Sequence, residues 1–557
     1  MSVVAGTSFL IDLASGDRIA QAVAEALARA ERGLAEFMSE RVVSRSVDAR
    51  TEDTSSAAAG NRARRNEPTD RMWLRPALLL VALTIVFFVA FHPHWNILTG
   101  ERNEFPVHLD EYVHWGYAKQ TIAQGIVTFG SPFSNSAASS FNPVSDVHER
   151  GYQAYLGTFQ AVTGIPWIDI FEFGPALIAV FLALCLYALT ERWGAGVESA
   201  LWVAAIPTTL RFLGPGFLVP IALALALVAV GLCIMAHAPG ARGIAALVIV
   251  SAALWPIHLM GGLALLVLAI AFGVARMMRG QAGLFIVLFT TIPALVAIPY
   301  AISSFASGLI YDNPLPLVPG VLREFGVVPL LAAGVGAFVL LSARPERRRD
   351  VGWAAAIGLV AAEAVFLVGN ASGLDFIMAY DRSFLILCLL SSILAGVAVA
   401  ALRKGVLRIP LLHRPVLMVG IAVVLFAAQA GVVAMSAEQQ LKQDYYRPLT
   451  PAQYASYIAA SAELGGTNAT AIVDGISTMA FTDVTGHPTS FQLSPSDTTQ
   501  PADAREFFAG RSSDTAYLMS HRISIVVTQA VVENPDLREV APGVYVLRND
   551  YVEGMFR

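Results

Sequence analysis

Long runs of apolar residues recur between residues 74 and 435 and are separated by short polar stretches. Many of them approach the ~20 residues that an α-helix needs to cross the hydrocarbon core of a bilayer. Strands of a membrane barrel would alternate polar and apolar side chains, whereas these runs are continuously apolar. The pattern predicts an α-helical polytopic membrane protein with about eleven spans. The predicted spans are residues 74–92, 173–190, 197–210, 217–236, 244–257, 260–275, 283–302, 326–342, 351–369, 384–402 and 415–435.

The cations of the short connecting segments lie mainly on one side of the predicted membrane. Loops rich in lysine and arginine stay in the cytoplasm. The chain is therefore predicted to be a multi-pass protein of the cell (plasma) membrane, with a cytoplasmic N-terminus and an extracytoplasmic C-terminal domain. The cations on the predicted cytoplasmic side include Arg64, Arg65, Arg71, Arg75, Arg192, Arg242, Arg276, Arg279, Arg344, Arg347, Arg348, Arg349, Arg403, Lys404, Arg408 and Arg414.

The polar segments divide the chain into three predicted regions. Residues 1–70 form a cytoplasmic arm, with an amphipathic helix at 15–41 and a disordered linker at 44–70. Residues 71–435 form the membrane domain, with a large outer loop at 93–172. Residues 436–557 form a small extracytoplasmic α/β domain. Its predicted elements are a helix at 451–464 capped by Thr450, strands at 471–474, 523–528 and 544–547, and helices at 502–509 and 515–521.

The composition supports the membrane class and argues against nucleic-acid binding. Charged residues make up only 14% of the chain, whereas soluble domains carry about 25%. The net charge of −5 provides no basic surface for a phosphate backbone. The three cysteines, Cys185, Cys233 and Cys388, all fall in predicted spans, so we interpret them as small buried apolar side chains.

An acidic pair, Asp110 and Glu111, opens an amphipathic segment of the outer loop shortly after the first span. Adjacent carboxylates in a helix point in different directions, so one can act as a base while the other binds a hydroxyl group or a cation. The helix dipole favours the ionised forms in the first turn. His114 lies one turn after Asp110, and Lys119 follows it on the same segment, so both are candidate substrate-binding residues. Alternatively, the acidic pair merely caps a surface helix.

In that alternative, Trp115 and Tyr117 anchor the helix at the membrane interface. The Asp110-Glu111 pair opens the first outer loop of a chain with many predicted spans and a predicted outer C-terminal domain. In these features the sequence resembles the GT-C glycosyltransferases, especially the group of protein O-mannosyltransferases and bacterial lipid A aminoarabinose transferases. The resemblance covers the topology of most of the chain, and at the level of motifs it covers the acidic pair alone.

The resemblance implies transfer of a sugar from a polyprenyl-phosphate donor to a lipid, glycan or protein acceptor outside the cytoplasm. It implies that Asp110 is the catalytic base, that Glu111 orients donor or acceptor, and that the anomeric centre is inverted. A cation would stabilise the leaving phosphate. Arg382, at the outer end of the tenth predicted span, is the first candidate, and Arg211 and Arg323 are alternatives. Arg382 could instead be a snorkelling side chain paired with a neighbouring aspartate.

A second polar cluster later in the loop contains Asp146, His148 and Glu149. Together with His108 and His114 it could hold a divalent metal, Mg²⁺ or Mn²⁺. Some GT-C oligosaccharyltransferases use a metal held by acidic motifs of two outer loops. No fixed ligand spacing is present, so hydrogen bonding within the loop is the alternative interpretation.

Two ionisable residues lie in or beside the predicted spans. His258 follows Pro256 at a turn near the outer face and is predicted to line the donor site. Glu363 lies near the middle of the ninth span and is predicted to hydrogen-bond to a neighbouring helix.

Two other functions compete with the transferase. A transporter or flippase of lipid-linked sugars would show internal repeats and mid-membrane charges, but the sequence has no clear repeat. A non-catalytic binding protein anchored in the membrane would need fewer spans than the sequence predicts.

Overall fold

The structure is a computed structural model that describes most of the chain between residues 71 and 548. The described residues are 71–95, 100, 102–125, 149–208, 213–237, 240–278, 283–306, 325–342, 358–364, 380–403, 447–464, 469–491 and 500–548. Several predicted features lie outside them and stay predictions: the helix at 15–41, the linker at 44–70, the span at 415–435, and the candidates Asp146, His148, Arg211 and Arg323.

The chain divides into two compact units, Met1–Leu78 and Leu79–Arg557. The first unit is described only from residue 71, where helix α1 (Arg71–Phe91) begins. The predicted domain limits at residues 70 and 435 stay predictions. In the second unit the helices before the sheet are α2 (Leu109–Gln124), α3 (Arg150–Thr163), α4 (Trp167–Thr190), α5 (Gly196–Trp202), α6 (Pro220–His237), α7 (Ala241–Ile257), α8 (Leu259–Met277), α9 (Leu284–Ala306), α10 (Val327–Leu341) and α11 (Tyr380–Arg403).

Four helical segments of the described residues are long and apolar enough to cross a membrane: Trp167–Trp193, Pro220–His237, Leu259–Met277 and Phe384–Arg403. Shorter apolar helices occupy Arg75–Phe91, Gly196–Ala205, Ala241–Ile257, Leu284–Ala297 and Val327–Leu341. Each of these nine segments coincides with a predicted span, so the helical character of these spans is confirmed. The number of crossings, about eleven by length and hydropathy, stays a prediction.

The predicted span at 197–210 is shorter and less regular than expected. Its α-helix ends at Trp202, and a 3₁₀ turn over Val203–Ala205 follows. Ile206 is extended, with ψ 124°. The cause is Pro207, since the proline ring excludes the α conformation from the residue before it.

The apolar core of the membrane part is packed around α11, whose residues from Phe384 onward are almost all buried. Close approach of helices in a membrane requires small residues at the contact. A Cβ atom on Gly336 of α10 would lie 1.9 Å from the main-chain oxygen of Leu394 on α11. The predicted bond of Glu363 to a neighbouring helix is confirmed, because the Ser391 hydroxyl donates to its Oε1 at 2.7 Å.

Helices α2 and α3 lie in the loop between α1 and α4. They pack on each other at Gly157 of α3, where an added Cβ would lie 3.0 Å from the main-chain oxygen of Ala118. The N-terminus of α3 packs on the end of α7, because an added Cβ on Gly151 would lie 2.7 Å from main-chain and side-chain carbons of Pro256. The sequence did not predict α3 as a separate helix.

A four-stranded sheet with flanking helices forms the C-terminal part. The strands are β1 (Thr470–Val473), β2 (Ile523–Val527), β3 (Leu537–Ala541) and β4 (Val544–Leu547), in the order β1-β2-β4-β3. β1 and β2 are parallel, whereas β4 is antiparallel to both β2 and β3. The helices are α12 (Pro451–Leu464), α13 (Thr478–Thr485), α14 (Ala502–Ala509) and α15 (Thr515–Ser520).

The predicted α/β character of this part is confirmed, including the Thr450 cap, whose hydroxyl accepts from the Gln453 N–H at 3.3 Å. The sequence missed α13 and β3. Alternate strand residues pack into different clusters. Val473 belongs to the cluster that includes α2 and α12, whereas Ile472 packs with Phe507 of α14. Side chains therefore cover both faces of the sheet, and one face packs in the same cluster as α2.

The α10–α11 contact generates a stability prediction. Gly336→Ala forces a methyl group onto the Leu394 carbonyl, so we expect overpacking to cost about 1–3 kcal/mol. Gly334→Ala on the same helix is the control, because an added Cβ there has no neighbour within 4 Å. Thermal unfolding in nanodiscs measures the difference, and equal midpoints for the two variants would contradict the packing described here.

Candidate functional site at the start of helix α2

The first turn of α2 carries a reciprocal cap. His108 is the N-cap residue, and its Nδ1 accepts from the Asp110 N–H at 3.0 Å. The Glu111 carboxylate reaches back, so that its Oε2 accepts from the N–H groups of Val107 (2.7 Å) and His108 (3.0 Å). Such a capping box satisfies N–H groups that a helix start leaves without partners.

A third donor reaches Glu111 from a distant part of the chain. The main-chain N–H of Leu218, shortly before α6, donates to Glu111 Oε1 at 2.7 Å. The main-chain oxygen of Leu218 accepts from the Tyr152 hydroxyl of α3 at 2.8 Å. The N–H group and the C=O group of Leu218 are therefore each bound by a side chain, one from α2 and one from α3. These two hydrogen bonds join α2 and α3 to the segment that leads into α6.

The environment of Glu111 is dry and rich in donors. Its side chain has an exposed fraction of 0%. Burial raises the pKa of this carboxyl to about 7, while the hydrogen bonds from His108, Leu218 and Val107 act in the opposite direction. A carboxylate with all these donors is held in one orientation. The arrangement suits Glu111 to positioning the helix.

Asp110 has different surroundings although it is the next residue. Its side chain keeps 26% of its surface exposed, and its Oδ2 lies 3.8 Å from His108 Nδ1. Successive helix residues point about 100° apart, so burying Glu111 turns Asp110 outward. Of the two predicted catalytic carboxylates, Asp110 is the one that a bound substrate can reach.

His114 lies four residues after Asp110 and thus on the same face of α2. Its Nε2 is 3.4 Å from Oε2 of Glu149, the residue before α3. Its ring meets the Tyr152 ring edge-on, with centroids 5.1 Å apart. The structure therefore brings together His114 and Glu149, which the sequence assigned to substrate and metal binding respectively.

Arg150 and Tyr152 of α3 are site residues that the sequence did not single out. The Arg150 guanidinium is buried, and its carbon lies 3.9 Å from the centroid of the Tyr117 ring. Its Nη1 donates to Gln153 Oε1 at 3.1 Å. A buried cation on an aromatic face fixes α3 against α2. In the sequence, both residues belong to the polar cluster that contains Glu149.

His258 occupies the break between α7 and α8 that Pro256 predicted. It caps α8, and its Nδ1 accepts from the Gly261 N–H at 3.3 Å. Because Pro256 contacts Gly151 at the start of α3, this break lies beside α3. A role for His258 in donor binding stays a prediction.

The two predicted cationic ligands lie on α2 and α11. The Lys119 ammonium donates to the main-chain oxygen of Asp483 on α13. Burial lowers the pKa of Lys119, and the charge of Asp483 opposes that effect. Arg382 lies in the first turn of α11. Its predicted contact with a donor phosphate stays a prediction.

The predicted metal site stays a prediction. Asp146 and His148 lie outside the described residues, and His108 uses Nδ1 for the helix cap. Within the described residues, no group of three or more histidine, cysteine, aspartate or glutamate side chains is placed to hold a metal ion.

Solved membrane enzymes have the same architecture. The archaeal oligosaccharyltransferase AglB from Archaeoglobus fulgidus, in complex with an inhibitory peptide and a dolichol-phosphate, superimposes with a TM-score of 0.53 at 12% identity, covering 83% of this chain and 70% of that one. A second Archaeoglobus fulgidus oligosaccharyltransferase structure, a complex with Zn and sulfate, gives 0.51 at 13% identity, covering 81% and 68%. ArnT from Cupriavidus metallidurans bound to undecaprenyl phosphate gives 0.48 at 14% identity, covering 85% and 97%.

No protein-family model and no curated protein match the sequence. The structural likeness, at a TM-score of 0.53 for the archaeal enzyme, nevertheless shows the fold. The chain has the GT-C fold, which it shares with the Archaeoglobus fulgidus oligosaccharyltransferases.

The buried carboxyl of Glu111 generates a prediction about pH. Its pKa is raised from 4.5 to about 7 in the folded chain. Between these two pH values the folded state therefore holds a proton on Glu111 that the unfolded state has lost. Stability from this proton is full below pH 4.5 and is lost as pH rises through 7. The unfolding temperature of wild type, relative to Glu111→Gln, should therefore fall across this window.

Glu111→Gln also replaces one accepting oxygen by an NH₂ group, so we expect it to cost about 1–3 kcal/mol at every pH. Thermal unfolding in nanodiscs at a series of pH values measures both effects. A difference between the two proteins that does not change with pH would show that Glu111 does not titrate in this range.

Proposed function

We propose that the protein is a membrane glycosyltransferase that moves a sugar from a polyprenyl-phosphate-linked donor to an acceptor on the extracytoplasmic side. The observation that carries the proposal is the partly exposed carboxylate of Asp110, fixed at the start of α2 by its buried neighbour Glu111. The GT-C fold supports it, because the AglB structure with the same fold holds a dolichol-phosphate.

In the proposed reaction, a hydroxyl or amide group of the acceptor attacks the anomeric carbon of the sugar. The bond from that carbon to the phosphate oxygen breaks, and the polyprenyl phosphate leaves with the bonding electron pair. Asp110 receives the proton of the attacking group. A single displacement inverts the anomeric centre.

The remaining residues have binding and positioning roles in this proposal. Glu111 positions the helix that carries the base. His114, whose Nε2 lies 3.4 Å from Glu149, is on the same side of α2 as Asp110 and is suited to bind acceptor hydroxyl groups. His258 lines the donor site, and Arg382 binds the phosphate, where a cation stabilises the developing negative charge.

A divalent metal, Mg²⁺ or Mn²⁺, belongs to the proposal as a group that would bind the donor phosphate. Its proposed ligands are His108, Asp146, His148 and Glu149. The Archaeoglobus fulgidus complex with Zn and sulfate supports a cation in this fold. The acceptor is a lipid, a glycan or a protein, and membrane lipid surrounds the spans.

Asp110→Asn should reduce sugar transfer by about 10²–10⁴-fold, because the amide cannot take the proton. The measurement is transfer from labelled polyprenyl-phosphate sugars in membranes at matched expression, with donor-lipid binding determined in parallel. Asp169→Asn is the control, since Asp169 is another exposed carboxylate in the first turn of a helix, α4.

Undiminished transfer by Asp110→Asn would remove Asp110 from catalysis. Absence of transfer by the wild type across a broad panel of donors and acceptors would favour a transporter or flippase of lipid-linked sugars over the enzyme.

A further inference from the structure

One face of α2 packs against the C-terminal part formed by β1–β4 and α12–α15, called the sheet domain below. Tyr112, Trp115 and Lys119 are spaced three and four residues apart and so lie along one side of the helix. Tyr112 and Trp115 are buried in an apolar cluster with Tyr457 of α12 and Phe481 of α13. The helix that begins with the candidate base is therefore also the surface on which the sheet domain rests.

A polar contact lies inside this apolar junction. The Lys119 ammonium donates to the main-chain oxygen of Asp483 and lies 5.3 Å from the centroid of the Trp115 ring. The two residues are 364 positions apart in the chain. The contact therefore joins two parts that only the complete fold brings together.

Asp483 is an unusual residue at such a place. Its exposed fraction is 2%. Among the described residues, neither carboxyl oxygen of Asp483 has a hydrogen-bond partner, and the buried Tyr112 hydroxyl has none either. Burial raises the pKa of Asp483 well above its usual range, and the charge of Lys119 opposes this effect. The Lys119 ammonium binds the main-chain oxygen of this residue and not its carboxyl oxygens.

Burying an ammonium group is expensive, and apolar side chains of similar size would hold two surfaces together at least as well. What the buried polar contact adds is a preference for one register over others, because any shift leaves the ammonium without its acceptor. Lys119 lies nine residues beyond Asp110, or about 13 Å along the helix axis. It therefore acts on Asp110 through the helix and not by contact.

We propose that Lys119 and Asp483 are a positioning pair through which the sheet domain sets the orientation of α2, and with it the placement of Asp110 for sugar transfer. This inference rests on the proposed function. It changes the part assigned to Lys119, from a ligand of the substrate to a contact between two parts of the protein.

The first test measures hydrogen exchange of the full chain in nanodiscs, in peptides from α2 and α13. Lys119→Met should speed exchange in both helices, because it removes the donor to the main-chain oxygen of Asp483. Asp483→Leu keeps that oxygen and removes only a carboxyl without a hydrogen-bond partner, so it should leave the protection of α2 close to that of the wild type. Arg538→Met is the control, because it removes the exposed Arg538–Glu463 pair (3.0 Å) of the sheet domain.

Faster exchange confined to the helix that carries the substitution would overturn the inference. Exchange in α2 that Asp483→Leu speeds as much as Lys119→Met would overturn it as well, because the contact of Lys119 with the main-chain oxygen would then not be what protects the helix.

The second test measures sugar transfer. Lys119→Met should lower kcat on the order of tenfold or more with little change in the KM for the donor, since a small misplacement of a catalytic group slows the chemical step. Lys119→Arg should restore much of kcat, because it keeps the positive charge. A rise in KM with kcat unchanged would show that Lys119 binds substrate, and would overturn the inference.

The two tests separate this inference from the proposed function. Coupled exchange in a chain that transfers no sugar would overturn the proposed function and the catalytic part of the inference together. Uncoupled exchange in an active transferase would overturn the inference alone.

Discussion

The carboxylate of Glu111 holds together the region where the candidate chemistry lies. It accepts hydrogen bonds from three main-chain N–H groups, two at the start of its own helix and one of Leu218. Moving α2 relative to α6 would leave buried N–H groups without partners, which is costly in an environment without water. This constraint fixes where α2 begins and which way it points. It also fixes Asp110, because the residue next to a buried helix position must face elsewhere.

Helix α2 lies between two other layers of the protein. Helix α3 packs on one side of it, with the Arg150 guanidinium against the Tyr117 ring. The sheet domain packs on another, through α12 and α13. These parts share one continuous apolar cluster, and a second cluster fills the membrane part. The candidate base therefore belongs to a helix that is held from several directions, as expected of a catalytic group that must keep its geometry.

Local patterns in the sequence were enough to predict most of the elements. Apolar runs located the membrane helices, Pro256 located the break before His258, and Thr450 located the start of α12. The misses have local causes. β3 reads Leu-Arg-Glu-Val-Ala, with its two charged residues exposed, and so lacks a continuous apolar signal. Helix α5 stops early because Pro207 forces the preceding residue into an extended conformation.

The sequence by itself was enough to predict a helical membrane protein with an acidic pair at the start of a helix that follows the first span. It could not say which carboxylate is buried and which is exposed. That difference depends on the Leu218 N–H, 107 residues from Glu111. In the same way, only the tertiary structure turned Lys119 towards Asp483. Periodicity and capping act over a few residues, whereas burial and hydrogen bonding depend on groups that distant segments bring together.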